Sequence, residues 1–375
     1  MNLVNILMSY MASQKRNSSK KKHIENLTLA FELAKINLGS TNENPSVGCV
    51  VEKSGSIISS GYTSINGRPH AEYNALKKKI NFKNSNLYVT MEPCSHYGKT
   101  PPCTNIIKKK GIKKVFFATI DLDLRSKNKA SNILSKKNIH TNYSLQKKRG
   151  LTFYQSYFRL KKNQLPIIDA KIAISKDYFT NNKKKKWITN EKSRKLSHLL
   201  RTKYNALLST ATSINKDNSL LNCRIKGLEN KSPDLVIIDR NLEIKKNLDI
   251  FKVKAKRKIY IYTTQTNKEK IKWLKKKQVK GILVKKMKSK DDFIKIFKSL
   301  LKFKFSRILV ETGLTFVNFL ITSKLIDKMY IFKTDINLKG KGFNNSSNKL
   351  IKKIKLKNKL SVNLGNDEVY LEGLK

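Results

Sequence analysis

The chain places one histidine and two cysteines where a single metal ion can bind all three. His70 is followed two residues later by Glu72, and eight residues separate Cys94 from Cys103. One imidazole and two thiolates form a borderline-soft donor set that suits Zn²⁺. Because three protein ligands leave one tetrahedral position for water, the pattern predicts one catalytic zinc ion per chain rather than a structural one.

Glu72 follows the histidine ligand closely and is predicted to move protons beside the metal. Zinc brings the pKa of a bound water to about 7, which makes a nucleophile available at neutral pH. A His-x-Glu segment followed later by Pro-Cys and a second cysteine is typical of zinc nucleobase deaminases, in which the glutamate is not a ligand. We therefore interpret Glu72 as the catalytic residue of a hydrolytic deaminase.

Length and composition favour a two-domain globular protein. The chain has 375 residues, of which 39% are apolar, and single cores stop growing at about 250–300 residues. No apolar run reaches the 18 or so residues that a membrane span needs, so no membrane partner is expected. Two of the four cysteines, Cys49 and Cys223, lie outside the metal pattern, and a disulfide framework is not expected. A cytoplasmic location is predicted.

The formal charge of +54 raises the alternative of a nucleic-acid-binding or nucleic-acid-editing protein. The excess is almost all lysine and is spread over the whole chain. Arginine would be expected wherever phosphate is recognised by paired hydrogen bonds. We therefore predict that the lysines are solvated and that the protein has no specific nucleic-acid partner. The positive electrostatic field of the chain would still attract anionic small-molecule substrates.

The first half alternates strand-like and helix-like patterns. Residues 1–22 are expected to form a frayed tail, and residues 24–39 to form a helix that ends at Gly39. The later elements are predicted as a strand hairpin over 47–51 and 57–62, a helix over 70–79, and strands over 87–91 and 115–120. This order puts the ligands at strand ends and helix starts, where open α/β sheets form their sites.

Residues 145–165 are polar and irregular, and we predict the domain boundary there. The first domain then covers residues 23–150 and the second covers 165–375. The second half again alternates, which indicates another α/β domain. Its strands are predicted near 166–174, 205–210, 234–239, 258–263, 281–285, 307–311, 328–333 and 368–372, and its helices near 190–203, 290–302 and 315–323.

Three segments of the first half resemble the bifunctional riboflavin-biosynthesis deaminase–reductase family. They are Asn44 through Val50, His70-Ala71-Glu72, and Glu92 through Cys103. Cytidine, tRNA-adenosine and polynucleotide deaminases usually carry two residues between the thiolates. This chain carries Ser-His-Tyr-Gly-Lys-Thr-Pro-Pro, as that family does.

The second half resembles the reductase domain of the same family. The matching stretches are 171–175, 187–189, 194–201, 217–224 and 310–313 leading to 325–327. The resemblance implies a cytidine-deaminase-like three-layer α/β/α domain followed by a dihydrofolate-reductase-like α/β domain. It also implies a homodimer and two cofactors, Zn²⁺ and NADPH.

The resemblance implies two consecutive reactions on a phosphorylated pyrimidine. Ammonia first leaves position 2 of 2,5-diamino-6-(5-phosphoribosylamino)pyrimidin-4(3H)-one, and NADPH then reduces the ribosyl group to ribityl. Asn44 would hydrogen-bond the substrate of the first step, and His96, Lys99 and Thr100 lie in the loop that can reach the substrate or its phosphate.

The reductase roles follow by matched position. The residues implied along NADPH are Ala173, Trp187, Ser213, Asp217, Gly313, Leu314 and Thr315. The residues implied to face the second substrate are Lys185, Arg201, Leu221, Arg224 and Glu311. Arg201 and Arg224 suit a phosphate as fork-shaped donors, and Gly313 opens a helix after a strand, which suits a cofactor phosphate.

The second half departs from the family pattern at several positions. Tyr178 stands where the family has glycine, which matters if the backbone there needs a positive φ. Lys185, Ser219 and Thr312 replace a serine, a proline and a small residue, and residues 126–130 replace a glycine-rich stretch in the first half. A deaminase with a degenerate reductase domain is therefore the alternative interpretation.

Overall fold

The computed structural model describes residues 3–143, 145–182, 187–252, 257–345 and 350–374. The chain divides into two compact units between Lys162 and Asn163. We call them the first and the second unit. Across the described residues, every helix is too short or too polar to cross a membrane.

The first unit is built on one five-stranded sheet. Its strands are β1 (Gly48–Lys53), β2 (Ser56–Tyr62), β3 (Asn86–Val89), β4 (Lys114–Phe117) and β5 (His140–Asn142). They lie in the order β2-β1-β3-β4-β5. Strand β1 is antiparallel to both neighbours, whereas β3, β4 and β5 run parallel. The predicted hairpin and the two predicted strands are confirmed.

Helices cover both faces of this sheet. They are α1 (Leu3–Ala34), α2 (Ala71–Leu76), α3 (Cys103–Lys109), α4 (Ala130–Ser135), α5 (Lys147–Phe153) and α6 (Gln155–Lys161). Because successive strand residues point to opposite faces, Tyr88 and Phe116 pack with Leu27 of α1. Their neighbours Val89 and Phe117 pack on the opposite face, in the cluster that holds Ala75 of α2 and Ile107 of α3. The result is the three-layer α/β/α arrangement that the resemblance implied.

Two segments of the first unit differ from the sequence-based expectation. Residues 3–22, expected as a frayed tail, belong to α1, which ends at Ala34 rather than at Gly39. The segment expected to be irregular forms α5 and α6. Tyr154 explains why α5 and α6 belong here: its hydroxyl lies 2.5 Å from Thr90 Oγ1 and donates to the Ser46 carbonyl at 3.2 Å.

The second unit contains an eight-stranded sheet and a two-stranded one. The strands of the large sheet lie in the order β11 (Val279–Leu283), β10 (Ile259–Thr263), β9 (Asp234–Ile238), β8 (Ala206–Thr210), β12 (Arg307–Val310), β6 (Ile167–Ile174), β13 (Lys328–Lys333) and β15 (Glu368–Gly373). All neighbours are parallel except β13 and β15. Strands β7 (Phe179–Asn182) and β14 (Gly342–Asn345) form the small antiparallel sheet.

Helices also cover both faces of the large sheet. They are α7 (Glu191–Arg201), α8 (Ala211–Asp217), α9 (Lys268–Lys276), α10 (Lys290–Leu300), α11 (Leu314–Thr322) and α12 (Leu350–Lys353). Phe297 of α10 and Val317 of α11 pack on Leu208 and its face of the sheet, whereas Ile214 of α8 packs with Leu207 on the other. The predicted strands of this half are confirmed within about two residues, whereas β7, β14, α8, α9 and α12 were not predicted.

Candidate metal centre and the ion pair of the second unit

The fold brings His70, Cys94 and Cys103 to one point. His70 immediately precedes α2, Cys94 lies in the loop after β3, and Cys103 is the first residue of α3. The ligand atoms of the three side chains all lie within 4.8 Å of one another. His70 Nδ1 is 3.5 Å from each of the two sulfur atoms.

These separations fit zinc. In a tetrahedral site with Zn–N and Zn–S bonds of about 2.0 and 2.3 Å, the nitrogen and the sulfur stand about 3.5 Å apart. The Cys103 backbone N–H donates to Cys94 Sγ at 3.2 Å. Because a thiolate accepts such a hydrogen bond better than a thiol, this contact also favours the ligand form of Cys94.

The two thiols differ in their protonation. A hydrogen bond from the Cys103 side chain, helped by His70, lowers the pKa of Cys94 to about 4. The same contact and burial raise the pKa of the Cys103 thiol. Cys94 is therefore the more acidic of the two thiols, and metal binding requires both to be deprotonated.

Glu72 lies in the first turn of α2, with 4% of its surface exposed. Burial, with a smaller contribution from the charge of Cys94, raises the pKa of Glu72 to about 7. A carboxyl group with this pKa both accepts and releases a proton near neutral pH, which is what a general acid–base catalyst needs.

The loop between the thiolates is tied to its surroundings by side chains. Arg68 Nη1 donates to Thr100 Oγ1 at 2.6 Å, and His96 Nδ1 lies 2.7 Å from Ser126 Oγ. Asn44 donates from Nδ2 to the Gly67 carbonyl at 3.2 Å, which places it beside the segment that leads into His70.

Glu92, two residues before Cys94, was not singled out from the sequence. Its buried carboxylate accepts hydrogen bonds from the backbone N–H groups of Asp121, Asn128 and Ala130, at 3.2, 3.1 and 3.1 Å. Glu92 therefore anchors the loop after β4 to the segment that carries the metal ligand. The periodicity of the sequence around Glu92, directly before Pro-Cys, does not predict this anchoring role.

In the second unit, the structure brings Arg201 and Glu311 together. Arg201 donates from Nε and Nη2 to the two carboxylate oxygens of Glu311, at 2.7 and 2.9 Å. Its third nitrogen, Nη1, donates to the Asn222 carbonyl at 2.8 Å. Lys171 Nζ lies 3.9 Å from Glu311 Oε2, and the sequence did not single it out.

Two further predicted residues lie on the adjoining loop. Arg224 is exposed and donates to the side-chain oxygen of Asn222 at 2.9 Å. Leu221 is buried and has a φ of 49°, a left-handed conformation that is costly for a branched side chain. Arg257 holds this conformation by donating to the carbonyls of Leu220 and Leu221. Nearby, burial and neighbouring arginines lower the pKa of His198 to about 4.

A cluster of hydroxyl groups lies at the start of α11. Ser213 Oγ accepts from the Gly313 N–H at 3.0 Å and lies 3.0 Å from Thr312 Oγ1. Thr210 Oγ1 lies 2.9 Å from the same Thr312 hydroxyl. Gly313 is the N-cap of α11 and is followed by Leu314 and Thr315 in its first turn. Ser213 and the segment 313–315, which lie far apart in the sequence and were both predicted along NADPH, are thus close together at the N-terminus of α11.

The remaining predicted residues are more dispersed. Ala173 lies on β6 beside the cluster that contains Phe179 and Ile188. Trp187 is half exposed, and the Arg194 guanidinium lies 5.6 Å from its ring centre. Asp217 is exposed at the end of α8. Lys185 lies outside the described residues.

Tyr178, which stands where the family pattern has glycine, has a φ of 69°. It lies in the turn between β6 and β7, where its N–H donates to the Ser175 carbonyl at 3.0 Å. The position therefore does require the left-handed conformation that glycine adopts without strain.

Comparisons with known proteins agree with the interpretation of the first half as a deaminase and of the second half as a reductase. Residues 166–369 match the family model of the RibD C-terminal domain. Residues 20–119 match that of the cytidine and deoxycytidylate deaminase zinc-binding region.

Curated relatives extend the match to most of the chain. Riboflavin biosynthesis protein RibD of Aquifex aeolicus is 31% identical over 349 residues, which are 92% of this chain and 96% of that protein. The protein of the same name from Escherichia coli K12 is 26% identical over 317 residues, covering 81% of this chain and 85% of the relative.

Solved structures share the fold over nearly the full length. Acinetobacter baumannii RibD has a TM-score of 0.78 at 25% identity, covering 94% of this chain and 98% of that one. A diaminohydroxyphosphoribosylaminopyrimidine deaminase/5-amino-6-(5-phosphoribosylamino)uracil reductase from Thermotoga maritima has a TM-score of 0.78 at 26% identity, covering 94% and 99%. With this extent of identity and coverage, the chain belongs to the RibD family, the bifunctional zinc- and NADPH-dependent deaminase–reductases of riboflavin biosynthesis.

Proposed function

We propose that the first unit deaminates 2,5-diamino-6-(5-phosphoribosylamino)pyrimidin-4(3H)-one, with zinc held by His70, Cys94 and Cys103 and with Glu72 as the catalytic residue. The convergence of the three ligand atoms within 4.8 Å, next to a buried carboxyl group, carries this proposal. The ligand types, their separations and the pKa of Cys94 all suit a zinc ion.

The residues of this unit have separate roles in the proposed reaction. Zinc held by His70, Cys94 and Cys103 would act as a Lewis acid and activate water for attack on position 2 of the ring. Glu72, buried beside these ligands, would take a proton from that water and deliver protons to the ring and to the departing amine. Asn44 would hydrogen-bond the substrate, and His96 lies on the thiolate loop that can reach it.

For the second unit we propose reduction of the deaminated product. NADPH supplies the hydride, and the protein orients the cofactor and the ribosyl group. The first turn of α11, where Leu314 and Thr315 follow Gly313, would offer backbone N–H groups to a cofactor phosphate, while Ser213 accepts the Gly313 N–H beside it. The other residues proposed along NADPH are Ala173, Trp187 and Asp217.

The same unit is proposed to hold the second substrate beside the Arg201–Glu311 pair. Leu221 and Arg224 lie on the loop that Arg201 contacts through Asn222, and Lys185 is assigned by matched position only. Arg224 is the better phosphate ligand because its guanidinium is exposed, whereas all three nitrogens of Arg201 already have protein partners.

Four finer assignments accompany this function. We propose that residues 23–150 carry the deaminase and 165–375 the reductase, with α5 and α6 completing the former. We also propose a homodimer, a cytoplasmic location, which suits free thiols, and the absence of a specific nucleic-acid partner. Light scattering of the purified protein tests the dimer. Binding to RNA or DNA that stays tight at physiological salt would contradict the last assignment.

The two activities are tested separately on the full-length protein. Glu72→Gln keeps the shape of the side chain, so the variant should retain zinc and lose deamination while still oxidising NADPH with the deaminated substrate. Arg224→Ala is the complementary variant, with weakened reduction and intact deamination. If the unmodified protein deaminates but never oxidises NADPH at any substrate concentration, the second unit is a degenerate reductase.

A further inference from the structure

Ser126 is a fully buried serine whose hydroxyl contacts the loop between the two thiolates. The backbone N–H of Ser95 donates to Ser126 Oγ at 3.1 Å. The same oxygen lies 2.7 Å from His96 Nδ1. Both contacts fall on the loop from Cys94 to Cys103, although Ser126 itself comes from the loop after β4.

These two contacts determine where the protons lie. The Ser126 oxygen accepts from Ser95, and a buried hydroxyl proton needs an acceptor of its own. Among the described residues, His96 Nδ1 is the acceptor within reach. The hydroxyl therefore donates to Nδ1, and Nε2 is the ring nitrogen of His96 that is left to carry an N–H.

The Nε2 atom of His96 and the guanidinium group of Arg68 both lie near Gly98. A Cβ atom built on Gly98 would lie 3.8 Å from His96 Nε2 and 3.4 Å from Arg68 Nη2. Both side chains therefore lie on the same side of Gly98, and each presents an N–H donor there. Two such donors suit an acceptor, such as an oxygen of an anionic substrate.

We propose that Ser126 is a positioning residue, which holds the His96 ring with Nε2–H turned to an acceptor oxygen of the substrate. The inference rests on the deaminase function proposed above and adds a residue from outside the metal-binding loop. In this proposal Ser126 acts through His96 and has no direct contact with the substrate.

The hydroxyl is not what holds its own loop in place. Glu92 anchors that loop through the backbone N–H groups of Asn128 and Ala130. The backbone N–H of Ser126 donates to the Asp123 carbonyl at 2.8 Å, independently of the side chain. Removing the Ser126 hydroxyl should therefore leave its own loop in place. Because the change also removes the acceptor of the Ser95 N–H beside Cys94, zinc content is measured for each variant.

The first test is a double-mutant cycle on deamination by the full-length zinc enzyme. Ser126→Ala should raise KM about tenfold, the order expected for losing one hydrogen bond to a charged group, with kcat and zinc content nearly unchanged. His96→Gln should raise KM by at least as much. Adding Ser126→Ala to His96→Gln should then change KM much less than it does alone, because the contact with the His96 ring is already absent and only the hydrogen bond from Ser95 is still lost.

Ser131→Ala is the matched control, since that hydroxyl accepts from Thr141 Oγ1 at 2.9 Å in the same unit, away from the thiolate loop. It should leave KM unchanged. Equal KM values for Ser126→Ala and the unmodified protein, or fully additive effects in the cycle, would overturn the positioning role while leaving the deaminase function standing.

The second test reads the proton position directly. Nitrogen NMR of histidine-labelled protein, with His96 assigned by its loss in His96→Gln, should show Nε2 protonated and Nδ1 unprotonated. In Ser126→Ala the two His96 signals should move towards a mixture of tautomers. A His96 protonated on Nδ1 in the unmodified protein would refute the inference even if no substrate were turned over.

Discussion

Arg201 and Glu311 form a buried ion pair joined by two parallel hydrogen bonds of 2.7 and 2.9 Å. These bonds occupy two N–H donors of the Arg201 guanidinium, which the sequence analysis had expected to bind a substrate phosphate. Each residue has 9% of its surface exposed, so each is the other's principal counter-charge. We therefore propose that the pair is a structural element beside the substrate site and that the exposed Arg224 is the phosphate ligand.

Breaking this pair should destabilise the second unit. Arg201→Met leaves the Glu311 charge buried with only the more distant Lys171, and such losses cost about 3–5 kcal/mol. Urea unfolding of the full-length protein, followed by circular dichroism, measures the effect. Arg224→Ala is the control, because removing an exposed arginine should change the free energy of unfolding by less than about 0.5 kcal/mol.

The same pair should make stability depend on acidity. The Arg201 charge and its hydrogen bonds overcome the effect of burial and lower the pKa of Glu311 to about 2. Because the folded-state pKa lies below the unfolded value, the contribution is fully present above about pH 4.5 and is lost as the pH falls towards 2. The difference in unfolding free energy between the unmodified protein and Glu311→Gln should shrink over this range. A pH-independent difference would contradict the assignment.

At position 178, glycine should destabilise the protein less than alanine does. Its φ of 69° strains any residue with a Cβ atom. Tyr178→Ala loses the ring and keeps the strain, whereas Tyr178→Gly loses both. The glycine variant should therefore be more stable than the alanine variant by about 1 kcal/mol, the reverse of the usual helix or strand preference. Thermal unfolding of the two variants checks this, and equal stabilities would exclude strain at this turn.

Zinc removal should affect the first unit selectively. All three proposed ligands lie in that unit, and binding to the folded form alone stabilises it by about 2.7 kcal/mol when free metal is 100 times the dissociation constant. Chelation should lower the unfolding temperature of the first unit and leave NADPH oxidation by the second unchanged. Cys94→Ser should behave as the chelated protein, whereas Cys49→Ala, which changes a buried thiol outside the cluster, should keep its zinc.

The convergence of His70, Cys94 and Cys103 and the positions of most strands were predictable from the sequence because they depend on local patterns. Ligand spacing and alternating apolar residues are visible within a few positions of each other. The contacts of Ser126 with His96 and of Glu92 with Ala130 join residues 30 and 38 apart in the chain, and the Arg201–Glu311 pair joins residues 110 apart. Helices α5 and α6 were not predicted because they are short and few of their residues are buried, so they show no clear apolar periodicity.

Tyr154 has a practical consequence for anyone who separates the two activities. Its hydroxyl binds Ser46 and Thr90, which flank the first and third strands of the sheet. A fragment cut at residue 150, where the sequence places the border, would lose this tie and expose a cavity the size of a tyrosine ring. A stand-alone deaminase should therefore be expressed through Lys162, and any exchange of reductase halves between relatives should be joined after that residue.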